Sequence, residues 1–176
     1  SAGHCPSRVD YWQPGWNIFA LTHDNPAYSW VSSGAGQPNG VGGDGRWYWS
    51  NQAFSGETYT GLNHRRFAST GSANVGSSVC RYGVSTGYHC GTVRTNFGSI
   101  NSQVCYDVDN YVDCVGQRVY PVTCTSVHDS AVGDSGGPWF LNYQAFGVHA
   151  GGDSSVGSCY TPVARLLGRF QLSLLS

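Results

Sequence analysis

The sequence of 176 residues contains no lysine and no methionine, and charged residues make up only 11% of it. Without lysine, Schiff-base and other lysine-dependent chemistry is excluded. The formal net charge of −1 gives no electrostatic signature of binding to nucleic acid or to an anionic membrane. No apolar run approaches the roughly 18 residues that a membrane-spanning helix needs. Because methionine is missing even at the start, we expect a processed or truncated product.

The composition favours β structure in one or two small domains. Hydrophobic residues make up 40% of the chain, aromatic residues 14%, and there are 25 glycines. Short β-branched or aromatic segments bounded by glycine and serine occur at residues 78–80, 91–94 and 146–149, which is typical of strands. Many short strands with frequent turns predict a sandwich or a barrel. The one predicted helix covers residues 162–170, near the end of the chain.

The seven cysteines predict a disulfide framework and secretion. They are Cys5, Cys80, Cys90, Cys105, Cys114, Cys124 and Cys159. Cys80 and Cys90 flank a glycine-rich segment that predicts a hairpin closed by a disulfide. Since seven is odd, we expect Cys5 to pair with a cysteine upstream of Ser1. The other four cysteines allow three pairings, among which these spacings do not choose.

The segment GDSGGP at residues 133–138 is the strongest chemical signal in the chain. A serine hydroxyl becomes a good nucleophile only when a base takes its proton and donors await the developing oxyanion. Glycines on both sides of Ser135 let the backbone turn sharply and aim amide N–H groups at one point. A plain glycine-serine turn is the simpler interpretation, but six consecutive residues favour a catalytic one.

A second motif, SAGHC at residues 1–5, places His4 beside Cys5. Together with GDSGGP it resembles the chymotrypsin-fold serine proteases, in particular the bacterial α-lytic protease/streptogrisin group, whose histidine motif reads TAGHC. The likeness continues in three further segments, residues 75–83, 86–92 and 147–152.

The resemblance implies an all-β fold of two antiparallel six-stranded β-barrels with a short C-terminal helix. Residues 1–71 would be the remainder of the N-terminal barrel, which we expect to lack its opening strands. Residues 72–176 would form the C-terminal barrel with the nucleophile and the specificity pocket. With this resemblance, the expected disulfides are Cys80–Cys90, Cys105–Cys114 and Cys124–Cys159.

The same resemblance implies a catalytic triad in the chain order histidine, aspartate, serine. Ser135 would be the nucleophile, His4 the general base, and Asp24 the carboxylate that orients the imidazole. The sequence around Asp24 departs from the family pattern Asp-x-Ala, because Ala27 comes one residue later. The amide N–H groups of Gly133 and Ser135 would form the oxyanion hole.

Asp134 directly precedes the nucleophile, and we expect it to be buried. An unpaired buried carboxylate is costly, so it needs a cation. In the bacterial group this cation is an arginine directly after the hairpin cysteine, and Arg81 stands at that position. The resemblance therefore implies an Arg81–Asp134 ion pair that needs no free N-terminus.

Two residues predict opposite substrate preferences. Asp129 lies six residues before Ser135, which is the trypsin spacing for an aspartate that selects arginine or lysine. His149 instead resembles the histidine of glutamate-specific relatives. Both cannot set the preference, and we favour basic substrates. We expect the substrate to add as a strand to the edge that follows His149, formed by Ala150, Gly151 and Gly152.

The sequence therefore predicts a secreted, monomeric serine endopeptidase that acts on polypeptides through an acyl-enzyme intermediate. No cofactor, metal, nucleic acid or membrane partner is expected. Two alternatives remain: a glutamyl endopeptidase, and a weakly active or inactive protease-like binding protein. The second is suggested by Ala150, which replaces a serine common in the family. An α/β-hydrolase is disfavoured, because its order of serine, acid and histidine does not fit this chain.

Overall fold

The structure is a computed structural model with side chains. It describes residues 9–11, 21–23, 26–32, 43–48, 57–59, 64–83, 85–108, 111–171 and 173. Side chains are described at residues 67–83, 85–101, 116, 118–152, 154–169, 171 and 173. His4, Cys5 and Asp24 lie outside the described residues, and so do the side chains of Cys105 and Cys114.

Within these ranges the chain forms strands and one short terminal helix, as the sequence predicts. The strands are β1 Val9–Tyr11, β2 Leu21–His23, β3 Pro26–Ser32, β4 Gly43–Tyr48, β5 Glu57–Tyr59, β6 His64–Arg66, β7 Ser69–Thr70, β8 Ser78–Gly83, β9 Gly87–Val108, β10 Tyr111–Thr125, β11 Pro138–Leu141, β12 Gln144–Asp153 and β13 Gly157–Pro162. The helix α1 is Val163–Phe170. No helix in the described part of the chain is long and apolar enough to cross a membrane.

Six strands of the C-terminal part form a closed ring of antiparallel pairs. The order is β11–β8–β9–β10–β13–β12, and β12 pairs with β11 to close the ring. β7 adds to β12 as a parallel neighbour. Before β7, the described strands pair as β1 with β2, β3 with β4 and β5 with β6. The division into domains at residue 71 remains a prediction.

The interior of the C-terminal part is filled by apolar side chains from all sides of the ring. One cluster of buried residues comprises Ala73, Val79, Val93, Val127, Trp139, Phe146 and Tyr160. A second comprises Ile100, Val119, Val122, Cys124, Ala150 and Cys159. Burial of these side chains is the main source of stability for the ring, since apolar area removed from water is worth about 25 cal/mol per Å².

Two predicted disulfides are formed. Cys80 and Cys90 lie directly opposite each other on β8 and β9, and their sulfurs are bonded. Cys124 and Cys159 lie opposite each other on β10 and β13 and are bonded within the second apolar cluster.

The third expected disulfide is tested only at the level of the backbone. Cys105 and Cys114 are directly paired in the ladder between β9 and β10. The bond between them remains a prediction, because their side chains lie outside those described.

Two glycines with similar backbone angles differ in their surroundings. Gly157 has a φ of 78° and Gly87 a φ of 82°, in the region that side chains rarely adopt. A Cβ atom on Gly157 would collide with the carbonyl oxygen of Thr125, whereas one on Gly87 would meet nothing within 4 Å. Because Gly157 has no side chain, the first residue of β13 can pack closely against the backbone of Thr125 in β10.

Replacing each glycine by alanine tests this difference. Gly87→Ala should cost about 1 kcal/mol of unfolding free energy, from backbone strain alone. Gly157→Ala should cost about 2 kcal/mol more, because the new methyl group has no space. Urea unfolding of both variants measures the two losses. Equal losses would contradict the close packing of Gly157 on Thr125.

Candidate active site

The loop from residue 126 to residue 137 connects β10 to β11 and carries Ser135. Two glycines with positive φ lie on either side of Ser135: Gly133 has a φ of 101° and Gly136 a φ of 87°. The Asp134 N–H donates to the Ala131 carbonyl at 3.1 Å, and the Gly137 N–H donates to the Asp134 carbonyl at 3.0 Å. These two turns present Ser135 at the surface of the ring, where it is partly exposed.

Strands on both sides hold this loop. The Gly136 N–H donates to the His149 carbonyl at 2.9 Å, and the His149 N–H donates to the Gly137 carbonyl at 2.8 Å. On the opposite side, a Cβ atom on Gly137 would collide with the carbonyl oxygen of Tyr82. Only glycine therefore fits between β8 and β12 at this point.

Asp134 is buried beside Ser135, with 1% of its surface exposed. Arg81 Nη1 donates to Asp134 Oδ2 at 3.2 Å, and both side chains are fully buried. The Thr86 hydroxyl donates to the same oxygen at 2.7 Å, and the Ala131 N–H at 3.0 Å. The N–H groups of Ser85 and Thr86 donate to Oδ1 at 2.9 and 3.2 Å. The structure thus brings together the two residues expected to form an ion pair.

These donors set the charge state of Asp134. Burial alone would raise the pKa of its carboxyl group. Hydrogen bonds from the Thr86 hydroxyl and from the amides of Ala131, Ser85 and Thr86 outweigh burial and lower the pKa to about 2. The carboxylate of Asp134, directly before Ser135, is therefore a fixed negative charge at neutral pH.

The structure places Asp129 against two basic side chains of the protein itself. Arg81 Nη2 donates to Asp129 Oδ1 at 3.1 Å. His89 Nδ1 lies 2.5 Å from Asp129 Oδ2. Arg81 Nη2 also donates to the Thr86 hydroxyl oxygen at 2.7 Å, which links this group to Asp134.

Sequence reasoning assigned His89 no part in the site. One signal could have found it: if Cys80 and Cys90 face each other in a hairpin, Arg81 and His89 must also face each other. The register between β8 and β9 has this pairing.

His149 is buried, with 1% of its surface exposed, and its ring contacts Trp139. The Trp139 Nε1–H donates to His149 Nδ1 at 3.2 Å, and the two rings stack at a centroid distance of 6.1 Å. Because an indole can only donate, Nδ1 must accept, so the proton of the neutral imidazole lies on Nε2. Tyr160 stacks on the other side of Trp139 at 5.0 Å, and burial raises its pKa. Neither Trp139 nor Tyr160 was predicted as a neighbour of His149.

The expected substrate-binding edge lies on β12. Gly151 and Gly152 pair with Cys159 and Ser158 of β13. The other side of β12 has no ladder partner at these residues among the described strands. The Ala150 side chain points away from this edge into the second apolar cluster.

The described residues contain most of the predicted site but not the whole of it. Ser135, Gly133 and the Arg81–Asp134 pair lie in one region, and His149 joins them through its backbone. The positions of His4 and Asp24 relative to Ser135 remain predictions. Within the described ranges, no group of three or more His, Cys, Asp or Glu side chains could hold a metal ion.

The lowered pKa of Asp134 predicts a specific loss of stability in acid. A carboxyl group with a pKa of 3.8 unfolded and about 2 folded stabilises the protein above pH 4, and this contribution disappears as the pH falls from 4 to 2. It amounts to about 2 kcal/mol. Asp134→Asn should lack this pH dependence, whereas Ser130→Ala should keep it. Urea unfolding between pH 2 and pH 6 measures it, and parallel curves for the wild type and Asp134→Asn would contradict the assignment.

Comparisons with known proteins identify the family. The trypsin family model matches residues 49–168, well over half of the chain. Streptogrisin-C from Streptomyces griseus is 39% identical over 106 residues, which cover 58% of this chain and 20% of that protein. The chain therefore spans only a fifth of the length of this curated relative.

Solved structures support the same fold. Thermobifida fusca protease A has a TM-score of 0.66 and is 25% identical, over 99% of this chain and 82% of its own. A glutamic acid specific serine protease that uses a histidine triad in substrate binding has a TM-score of 0.67 and is 22% identical, over 99% of this chain and 84% of its own. These likenesses confirm the chymotrypsin-like fold predicted from the sequence. The chain belongs to the trypsin family of chymotrypsin-fold serine proteases.

Proposed function

We propose that this chain is a secreted serine endopeptidase that cleaves polypeptides with Ser135 as the nucleophile. The observation that carries the proposal lies in the loop of residues 126–137, which we call the nucleophile loop. In it, a fully buried Arg81–Asp134 pair holds the residue next to Ser135. A buried charge pair is expensive to desolvate, so its place directly beside a serine in a glycine turn is better explained by catalysis than by stability. The two disulfides fit an oxidising, extracellular environment.

The proposed reaction uses the triad implied by the two motifs. His4 takes the proton of the Ser135 hydroxyl while the oxygen attacks the scissile carbonyl carbon, and Asp24 stabilises the resulting imidazolium. The amides of Gly133 and Ser135 stabilise the oxyanion. His4 then gives its proton to the leaving amine, and water hydrolyses the acyl-enzyme by the same steps in reverse.

On specificity, we propose that Asp129 does not select basic side chains. Both of its carboxylate oxygens face cationic donors of the protein, Arg81 and His89. A substrate arginine or lysine would have to displace one of these partners. These contacts favour a structural role for Asp129 despite its trypsin-like spacing from Ser135. We therefore expect a preference for non-basic residues.

An acidic preference is the second candidate, and His149 is the observation that favours it. The Trp139 Nε1–H donates to its Nδ1 and fixes the orientation of the ring. A histidine directly before the proposed substrate-binding edge suits an acidic side chain. The glutamic acid specific protease of similar fold uses a histidine triad in substrate binding, whereas here the His149 ring stacks on Trp139, which in turn stacks on Tyr160.

Labelling with a fluorophosphonate tests the endopeptidase proposal, because the reagent modifies only an activated serine. The wild-type chain should be labelled at Ser135 and should hydrolyse peptides. Ser135→Ala and His4→Ala should each lower kcat by at least about 10⁴-fold, since triad members act as a unit. Ser130→Ala, in the same loop, should react normally. A wild-type chain that binds peptides without labelling or turnover would establish the binding-protein alternative instead.

A peptide-library cleavage profile tests the specificity proposal. The wild type should prefer non-basic residues before the scissile bond, and Asp129→Asn should change the rates on all substrates by a similar factor. Strong preference for arginine and lysine that disappears in Asp129→Asn would establish the trypsin-like interpretation instead. Enrichment of acidic residues would support the role of His149.

A further inference from the structure

The β8–β9 hairpin and the nucleophile loop are joined by a row of four charged groups. In order of contact they are His89, Asp129, Arg81 and Asp134, each within 3.2 Å of the next. The first two side chains are partly exposed, His89 by 35% and Asp129 by 45%, whereas Arg81 and Asp134 are fully buried. The row therefore connects the solvent with the residue next to Ser135.

His89 makes two contacts through its ring nitrogens. Nδ1 faces the Asp129 carboxylate, and Nε2 lies 2.8 Å from the Thr86 carbonyl oxygen. Both partners accept hydrogen bonds, so both contacts form together only when both ring nitrogens carry a proton. A neutral ring has a single N–H and keeps only one of the two contacts.

The charge of His89 completes the balance of the row. The charged groups that face one another are the two carboxylates of Asp129 and Asp134 and the two cations of Arg81 and His89. With His89 neutral, two carboxylates would share one guanidinium, and an excess negative charge would lie beside a fully buried pair. The fully buried Arg81 and Asp134 are more sensitive to this imbalance than Asp129, which is 45% exposed to water.

Thr86 gives His89 a second connection to the loop. Its carbonyl oxygen accepts from His89, while its hydroxyl and its amide donate to Asp134. His89 therefore acts on Asp134 along two routes, through Asp129 and Arg81 and through the backbone of Thr86.

We propose that His89 and Asp129 are positioning residues for the nucleophile loop, and that the charged form of His89 keeps the loop ordered for catalysis. This inference rests on the proposed function of Ser135. Neither residue touches the substrate: both act through Arg81 and Thr86 on Asp134, and so on the backbone that carries the nucleophile.

Nitrogen-15 NMR of the histidine rings tests the contact without any need for activity. Asp129→Asn replaces the carboxylate that faces His89 Nδ1 by a neutral amide, so the Nδ1 resonance of His89 should move, whereas the Nε2 resonance, whose partner is the Thr86 carbonyl, should move less. His128→Gln, an exposed change beside Asp129, should leave both His89 resonances unchanged and assigns the neighbouring ring. An unmoved Nδ1 resonance in Asp129→Asn would overturn the inference.

Kinetics on the full chain test the positioning role. His89→Gln removes the charge and should lower kcat by about tenfold with KM within about twofold, because the loop and not the binding edge is disturbed. His89→Lys keeps a cation that can reach Asp129 and should restore most of kcat. His128→Gln should match the wild type, and thermal unfolding should show that every variant is folded.

The outcomes separate this inference from the proposed function. Wild-type kcat in His89→Gln, or no recovery in His89→Lys, would overturn the positioning role. The expected NMR response to Asp129→Asn, in a chain whose wild type neither labels nor cleaves peptides, would refute the endopeptidase proposal. It would also reject the catalytic part of this inference, while leaving the Asp129–His89 contact established.

Discussion

The buried carboxylate of Asp134 is the constraint on which the rest of the site depends. A charge with 1% of its surface exposed cannot be solvated by water, so the protein must supply the solvation itself. It does so with five donors, four of them from the hairpin that joins β8 to β9. The hairpin is in turn closed by the Cys80–Cys90 disulfide. The nucleophile loop therefore has its geometry because a distant hairpin satisfies one negative charge.

This arrangement also explains the local glycines. The loop must approach β8 closely enough for Asp134 to reach Arg81, and a side chain on Gly83 would collide with the Asp134 carboxylate. On the loop itself, Gly137 leaves room for the carbonyl of Tyr82. The glycines of the GDSGGP motif thus serve packing as much as backbone freedom.

Sequence reasoning succeeded where the signal was local or was contained in a motif. The helix predicted at residues 162–170 is α1 at Val163–Phe170. The Cys80–Cys90 bond was predicted from a hairpin composition, and the Arg81–Asp134 contact from a family likeness. Each of these depends on residues that are close in sequence or on positions that the family fixes.

Sequence reasoning was incomplete where a residue's contacts lie across a strand. The spacing of Asp129 from Ser135 suggested a substrate receptor, but spacing does not reveal the contacts that Arg81 and His89 make with its carboxylate. The partnership of Trp139 with His149 is similar, because it follows from the β11–β12 pairing and a bulge between residues 139 and 140. Such contacts depend on strand register, which a single sequence specifies only weakly.

The ion pair beside Ser135 joins residues 53 positions apart, and β8 meets β11 only when the ring of strands closes. Contacts of such long range form late, because the chain must first lose the entropy of a large loop. In a nascent or half-folded chain, the turns around Ser135 therefore lack the ion pair that holds them. The geometry of this loop is thus completed only at the end of folding.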